Sequence, residues 1–223
     1  MTAPDSVPMR ERYRAQVRHE VKQAALRQLA ESGPAGVSVS AIGKQLGVSG
    51  PGLYRYFASR DELLTELVID AYNDLAAALS AATGRASGRE PRARLDATAR
   101  AYRSWALAQP HRYRLLFGPP LPGYDAHARR LVDAAQAAMN VLLDAVRELG
   151  DQPATAPSQP LASELSAWAR QHGLDIDPAV AMRGVLIWSR LHGLIALEIA
   201  GNFASMGIDP DELFEIQLAT LTA

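Results

Sequence analysis

Between Val37 and Glu62 the chain reads VSVSAIGKQLGVSGPGLYRYFASRDE, and this stretch leaves room for little besides two short helices and the start of a third. Ser38 stands where a helix N-cap is needed, its hydroxyl able to accept from backbone N–H groups left unpaired in the first turn. Ala41, Ile42 and Leu46 follow at helical spacing, and Gly47 comes after the last of them, where a left-handed turn costs glycine least. Ser49 is a second N-cap, and Pro51 fits a first turn because its missing N–H has no intrahelical acceptor there. Leu53 and Phe57 point inward in this reading and leave Gly50, Gly52, Tyr54 and Tyr56 outside. Ser59 and Glu62 then form an S-x-x-E capping box that opens a longer helix. Helices this short are marginal alone, so packing must hold them. Two of them joined by a glycine-containing turn make a helix-turn-helix, whose second helix can enter a DNA major groove.

Helix-turn-helix geometry occurs in many small helical domains. The outward chemistry is what points to DNA, because tyrosine hydroxyls, serine caps and closely spaced helix N-termini all suit phosphate oxygens. The expected DNA-facing residues are Ser38, Ser40, Ser49, Gly50, Pro51, Gly52, Tyr54, Arg55, Tyr56 and Arg60.

The segment VKQAALRQLAESGPAGVSVSAIGKQLGVSGPGLYRYFASRDELLTELV resembles the N-terminal domain of TetR-family transcriptional regulators. The motifs A-A-L, L-A-E-x-G, L-G-V-S, L-Y-x-Y-F and the capping box occur in order and without gaps, over roughly Met9 to Val68. The chain departs from that family at Gly43, where alanine is usual, and at Gly50 and Gly52, which offer no side chain to read a base. The resemblance implies a sequence-specific DNA-binding regulator, in most cases a repressor that works as a homodimer on a palindromic operator.

The formal charge of −1 looks unsuited to a polyanion until it is divided along the chain. From Met9 to Arg60 there are nine basic residues (Arg10, Arg12, Arg14, Arg18, Lys22, Arg27, Lys44, Arg55 and Arg60) against three acidic ones (Glu11, Glu20 and Glu31). The excess of acidic residues therefore lies elsewhere, and a basic head on an acidic body is the asymmetry of a protein that presents one end to nucleic acid. Arg18 and Arg27 read better as solvation of a helix face than as contacts.

Without cysteine the chain forms no disulfide, thiolate–zinc site or thiol redox switch. The first twenty residues are polar and arginine-rich rather than signal-like, so a cytoplasmic location is expected. No phosphate loop, H-E-x-x-H or G-x-S-x-G motif is present, and the five histidines share no ligand spacing, so neither an enzyme, a metal site nor a cofactor is expected.

The remaining pattern is helical throughout. A first helix is predicted over about 13–31, a long one from Ser59 to about Leu79, another from Pro91 to Gln109, a short turn over His111–Phe117, and further helices over about 124–149 and 161–172. The proline-rich runs Gly118–Tyr124 and Gly150–Pro160 read as connections, and the first of them could serve a protein partner, the alternative to a small-molecule effector. From Pro178 to Phe203 the sequence is apolar on most sides but interrupted by Arg183, Arg190, His192 and Glu198, which argues against a membrane span. Such a helix needs burial on most of its surface, one side in its own core and the other against a second copy, together with the amphipathic helix after Asp209-Pro210. Trp188, Leu191, Leu194, Ile195, Phe214 and Leu218 are the expected dimer contacts. The pattern W-x-x-x-H-G at Trp188–Gly193, within about Leu186–Phe203, is similar to a C-terminal regulatory domain found in a subset of TetR-type proteins, which implies a helical dimerising domain.

His192 on an apolar helix reads more readily as a packing residue than as a ligand. Tyr102, Trp105, Phe117, Tyr124 and Met139 either line a pocket for a small apolar effector or fill the core. The expected architecture is all-α: an arm over 1–12, a three-helix helix-turn-helix DNA-binding domain over 13–58, and a larger helical ligand-binding and dimerisation domain over 59–223.

Overall fold

Nothing between Pro8 and Ser32 breaks a helix, and α1 accordingly starts earlier than its apolar stripe suggests, at Met9–Ser32. Arg10 and Arg12 thus stand on a helix and not in an arm; residues 1–8, the rest of the expected arm, lie outside those the structure describes. The structure, a computed structural model, describes residues 9–118, 129–150 and 156–221. All regular structure among them is helical: α2 (Val39–Gln45), α3 (Gly50–Leu53), α4 (Arg60–Arg85), α5 (Pro91–Ala108), α6 (Pro110–Phe117), α7 (Arg129–Arg147), α8 (Gln159–Gln171), α9 (Pro178–Ile199), α10 (Asn202–Met206) and α11 (Pro210–Thr220), with a 3-10 turn at Pro34–Gly36.

Contacts divide the chain into two compact units. One holds the described residues up to Ala71 with those of His111–Leu131; the other holds Tyr72–Pro110 and those from Val132 onward. The division falls inside α4, whereas the capping box at Ser59 suggested a boundary before it. The first turns of α4 supply Leu63, Leu64 and Leu67 to the core of the first unit.

In that unit Val17, Val21, Ala24, Ala25 and Leu29 of α1 pack with Val37, Val39, Ile42, Leu53, Phe57 and the leucines of α4. Full burial of a side chain such as Ile42, Leu53 or Phe57 contributes about 1.5–3 kcal/mol, and this holds helices of seven and four residues that would not persist alone. Gly43 has a steric role here. A Cβ at this position would stand 2.9 Å from the Val48 carbonyl oxygen, while the Val48 N–H donates to the Gly43 carbonyl at 2.9 Å. The turn between α2 and α3 closes onto that backbone.

Glu66 is the electrostatic centre of the unit. Arg18 lies 3.2 Å, Lys22 3.1 Å and Arg130 2.7 Å from its carboxylate, and Lys22 also reaches Asp70 at 2.8 Å. Burial by itself would raise the Glu66 pKa, but the three cations together hold it below the usual carboxylate value. Arg18 is thus an internal brace between α1 and α4, where the sequence suggested only solvation of a helix face.

In the second unit α9 packs on α5, α8, α10 and α11. Its length and composition would suffice to cross a bilayer, yet Ala181, Gly184, Ile187, Leu191, Leu194 and Ile195 are buried among the unit's other helices. The helix stops before Phe203, where the apolar run alone would have carried it, because Gly201 adopts φ +80° and α10 starts in a new direction. The residues of His111–Phe117 form a helix and not a simple turn, since Pro110 stands at a first helical position, where it is best tolerated.

Candidate nucleic-acid interface and regulatory core

Three serines cap helices of the first unit. The Ser38 hydroxyl accepts from the Ala41 N–H at 3.3 Å, that of Ser49 from Gly52 at 3.3 Å, and that of Ser59 from Glu62 at 3.0 Å. Glu62 in turn accepts from the Ala58 N–H, so the capping box closes one residue ahead of the cap. Ser40 is exposed, with its hydroxyl 3.1 Å from that of Ser38. Because these local bonds start each helix at a defined residue, the exposed side chains have defined directions.

Tyr54 is 54% exposed, a large value for a tyrosine in a short packed motif. Ser49, Pro51 and Arg55 are exposed beside it in sequence, while Gly52 is half-buried and Gly50 begins α3. Tyr56 packs partly against the core and contributes less surface than the sequence alone implied. Lys44, in the last turn of α2, is exposed and adds a cation that reading the second helix by itself overlooked. Its place opposite the buried Ile42 was the available signal.

Arg60 is placed differently from the expectation that it faces DNA. Its Nε donates to the Val37 carbonyl at 2.9 Å and its NH2 to the Pro34 carbonyl at 2.6 Å. The Nε/NH2 edge of the guanidinium is therefore turned into the protein, tying the start of α4 to the segment ahead of α2. On the other side Arg14 donates to the Arg55 carbonyl at 3.4 Å, and Arg18 donates to the Tyr56 carbonyl with its guanidinium 4.4 Å from the Phe57 ring centre. Arg14 and Arg18 of α1 thus hold the segment just after α3 by its carbonyls.

In the second unit Tyr102 and Trp105 lie on the buried face of α5. The Trp105 indole N–H donates to Asp74 at 2.9 Å, and the Tyr102 hydroxyl lies 3.3 Å from His192 Nδ1. Trp188 stacks on His192, with ring centres 5.3 Å apart and planes inclined by 20°. Met139 is half-buried on α7 of the same unit. Phe117 belongs to the first unit, where its ring centre is 5.1 Å from that of Tyr113. Tyr124 and the proline-rich residues 119–123 lie outside the described residues.

Burial lowers the His192 pKa below its usual 6.5. The unfolded chain therefore binds more protons than the folded one once the pH drops below about 6.5, so stability falls with pH through that window until the lowered folded value is passed. Urea unfolding of wild type should lose stability more steeply below about pH 6.5 than His192→Asn, which stays neutral and keeps an acceptor for Tyr102. Parallel pH dependences in the two proteins would rule out this histidine as the source.

Arg103 pairs with Glu198 through two bonds of 2.8 and 2.6 Å and with Asp211 at 2.5 Å, its guanidinium 4.9 Å from the Phe214 ring centre. The hydrogen bonds to Glu198 raise its already high pKa further. It joins α5, α9 and α11 through one side chain.

The dimer residues expected from sequence need correction. Leu191, Leu194, Ile195, Phe214 and Leu218 are all buried inside the chain's own second unit, and Trp188 is half-buried against His192. What α9 and α11 leave exposed is Val185 at 38%, Leu186 at 49%, Leu197 at 46% and Ile216 at 56%. These are large apolar side chains at helical spacing on faces that the chain itself does not cover.

Residues 23–67 match the bacterial regulatory proteins of the tetR family, and residues 95–221 match the tetracyclin repressor-like C-terminal domain. The chain is 36% identical over 217 residues to the HTH-type transcriptional regulator Rv1816 of Mycobacterium tuberculosis, an alignment covering 94% of this chain and 92% of that one. The crystal structure of SCO4313, named as a candidate regulatory protein, is similar with a TM-score of 0.80 and 41% identity over 96% of this chain and 98% of that one. PfmR, a TetR family transcriptional regulator from Thermus thermophilus, shares the fold at a TM-score of 0.60 and 17% identity, with 91% and 96% covered.

Proposed function

This chain belongs to the TetR family of bacterial transcriptional regulators, DNA-binding proteins and not enzymes, and we propose that it acts in the cytoplasm as a homodimeric repressor released from a palindromic operator by a small, largely apolar effector. The observation that carries the DNA-binding part is the capped α2–α3 pair with Tyr54, Arg55, Ser40, Ser49 and Lys44 exposed on it. The exposed apolar faces of α9 and α11 support the dimer: large apolar surface of this kind is covered in a stable protein, and a second copy covers it symmetrically.

With glycine at 50 and 52, the start of α3 has little side chain to place on a base edge. Tyr54 and the serines are then phosphate anchors, which fix register on the duplex and not sequence. Replacing Tyr54 by Phe removes one hydroxyl and should weaken binding to every duplex by about 1 kcal/mol, roughly fivefold, with operator preference unchanged. Gel-shift titrations on operator and random DNA measure both quantities; a changed preference at constant non-specific affinity would assign Tyr54 to base readout instead.

Release follows from the continuity of α4, which contributes to both units from Arg60 to Arg85. An effector entering the second unit near Tyr102, Trp105 and Met139 favours a position of α4 in which the two heads of a dimer no longer match successive major grooves, about 34–36 Å apart. Linkage makes the effect reciprocal, so operator DNA must weaken effector binding by the same factor. The direct test is selection from a random duplex pool followed by sedimentation of the complex. A palindrome bound by two chains is the expected product, and an enriched asymmetric site bound by one chain would overturn the homodimer.

A further inference from the structure

The end of α4, the turn after it and the outer side of α5 enclose an open cleft of about 460 Å³, lined by Ala82, Ala86, Ala97 and Ala101, by Ser104, and by Arg85, Arg89 and Arg100. Its volume lies within the range of small-molecule sites, about 300–1,000 Å³. Four alanines give it a smooth apolar floor, with Ala82 and Ala86 themselves buried. Three guanidinium groups stand around that floor. Arg100 is engaged with Glu215, NH1 on Oε1 and NH2 on Oε2 at 2.6 Å. Among the described residues, the side chains of Arg85 and Arg89 make no hydrogen bond or ion pair. The nearby carboxylate of Asp96 is occupied by Arg92 at 2.9 Å. The cleft therefore carries two cations that no described residue of this unit neutralises, over an apolar surface.

From this arrangement we infer that the cleft is a ligand site, separate from the aromatic core of the second unit, for a compact organic dianion whose oxyanion is held by Arg85 and Arg89 while its apolar body lies on the alanine floor. Guanidinium forks match the paired oxygens of phosphate and carboxylate groups, and like charges held together on one cleft favour an anion of two charges over one. Ser104 adds a hydroxyl that can donate to the same oxygens. Phosphomonoesters and dicarboxylates share this chemistry. Glu215 competes for Arg100 and so limits affinity. The site stands whether or not an apolar effector binds near Tyr102.

Calorimetric titration of the full chain in phosphate-free buffer, with phenyl phosphate, phthalate and inorganic phosphate as probes, tests the site. Saturable binding of phenyl phosphate or phthalate at one per chain is expected, and the tighter of the two identifies the oxyanion. The double variant Arg85→Ala/Arg89→Ala should weaken it at least tenfold. Glu215→Gln, which frees Arg100, should strengthen it at least threefold, a gain that a damaged fold would not produce. Arg147→Ala, which removes an arginine that does not line the cleft, should change nothing. The inference is overturned if neither organic probe binds, if inorganic phosphate binds as tightly as they do, if Arg147→Ala weakens binding as much as the double variant, or if Glu215→Gln leaves it unchanged.

Discussion

Leu186→Glu is expected to give folded monomers that no longer bind a palindromic operator. Leu186 is half exposed on α9, on the side away from the unit's own core, with Leu197 three turns along and Ile216 exposed on α11. In the separate chain a carboxylate at 186 remains in water and costs little. In a dimer built on that face it becomes a buried, unpaired charge, worth about 3–5 kcal/mol, and two-fold symmetry introduces it twice. The dimer dissociation constant should then rise by at least about four orders of magnitude. Sedimentation reads the monomer, circular dichroism reads the retained fold, and a gel shift reads the lost operator complex. Leu194→Glu provides the contrast, because Leu194 is buried in the chain's own unit and its replacement should unfold that unit before any question of assembly arises. An intact Leu186→Glu dimer would place the interface on another face.

Arg60→Lys separates two roles that look alike in sequence. As a phosphate contact, Arg60 would be replaced by lysine with little loss of stability and a modest loss of DNA affinity. As a brace, it bonds the Val37 and Pro34 carbonyls from the two donors, Nε and NH2, along one edge of a rigid planar fork, which an ammonium cannot reproduce. Each such bond from a charged donor contributes about 1.5–3 kcal/mol, less here because the side chain is about one-third exposed. The expected loss is about 2–3 kcal/mol of stability in chemical denaturation, with DNA affinity recovered where the variant is kept folded at low temperature. A variant as stable as wild type but weak in DNA binding would return Arg60 to the phosphate contacts.

What was legible in the sequence was short in range. The caps at Ser38, Ser49, Ser59, Asp177 and Asp209 each act within three residues, and each is made as the local pattern requires. The buried stripe of α1, the paired short helices and the helical character of the chain follow from the same local periodicity, while membership of the family was carried by the ordered motifs of residues 23–67. The turn at Gly43 belongs here only in part, since the residue stood out but the Val48 carbonyl that excludes a Cβ did not.

The tertiary structure decided whatever depended on partners far along the chain. Arg60 meets carbonyls 23 and 26 residues away, and Arg18 a carbonyl 38 residues away, so their composition as basic residues said nothing of their direction. Arg85, Arg89 and Arg100 come to one cleft only because α5 folds back beside the end of α4. For α9 the failure has a specific cause. A helix apolar on most sides has no single stripe, so periodicity gives its spacing and not its phase; α5, α8, α10 and α11 pick Leu191, Leu194 and Ile195 for the core and leave Leu186 and Leu197 in solvent. The sequence by itself thus determined most of the helical segments and the capped pair α2–α3. Which face of α9 stays exposed, and which arginines lack a partner among the described residues of the second unit, was decided by packing, because a side chain's surroundings come from elements its neighbours in sequence do not specify.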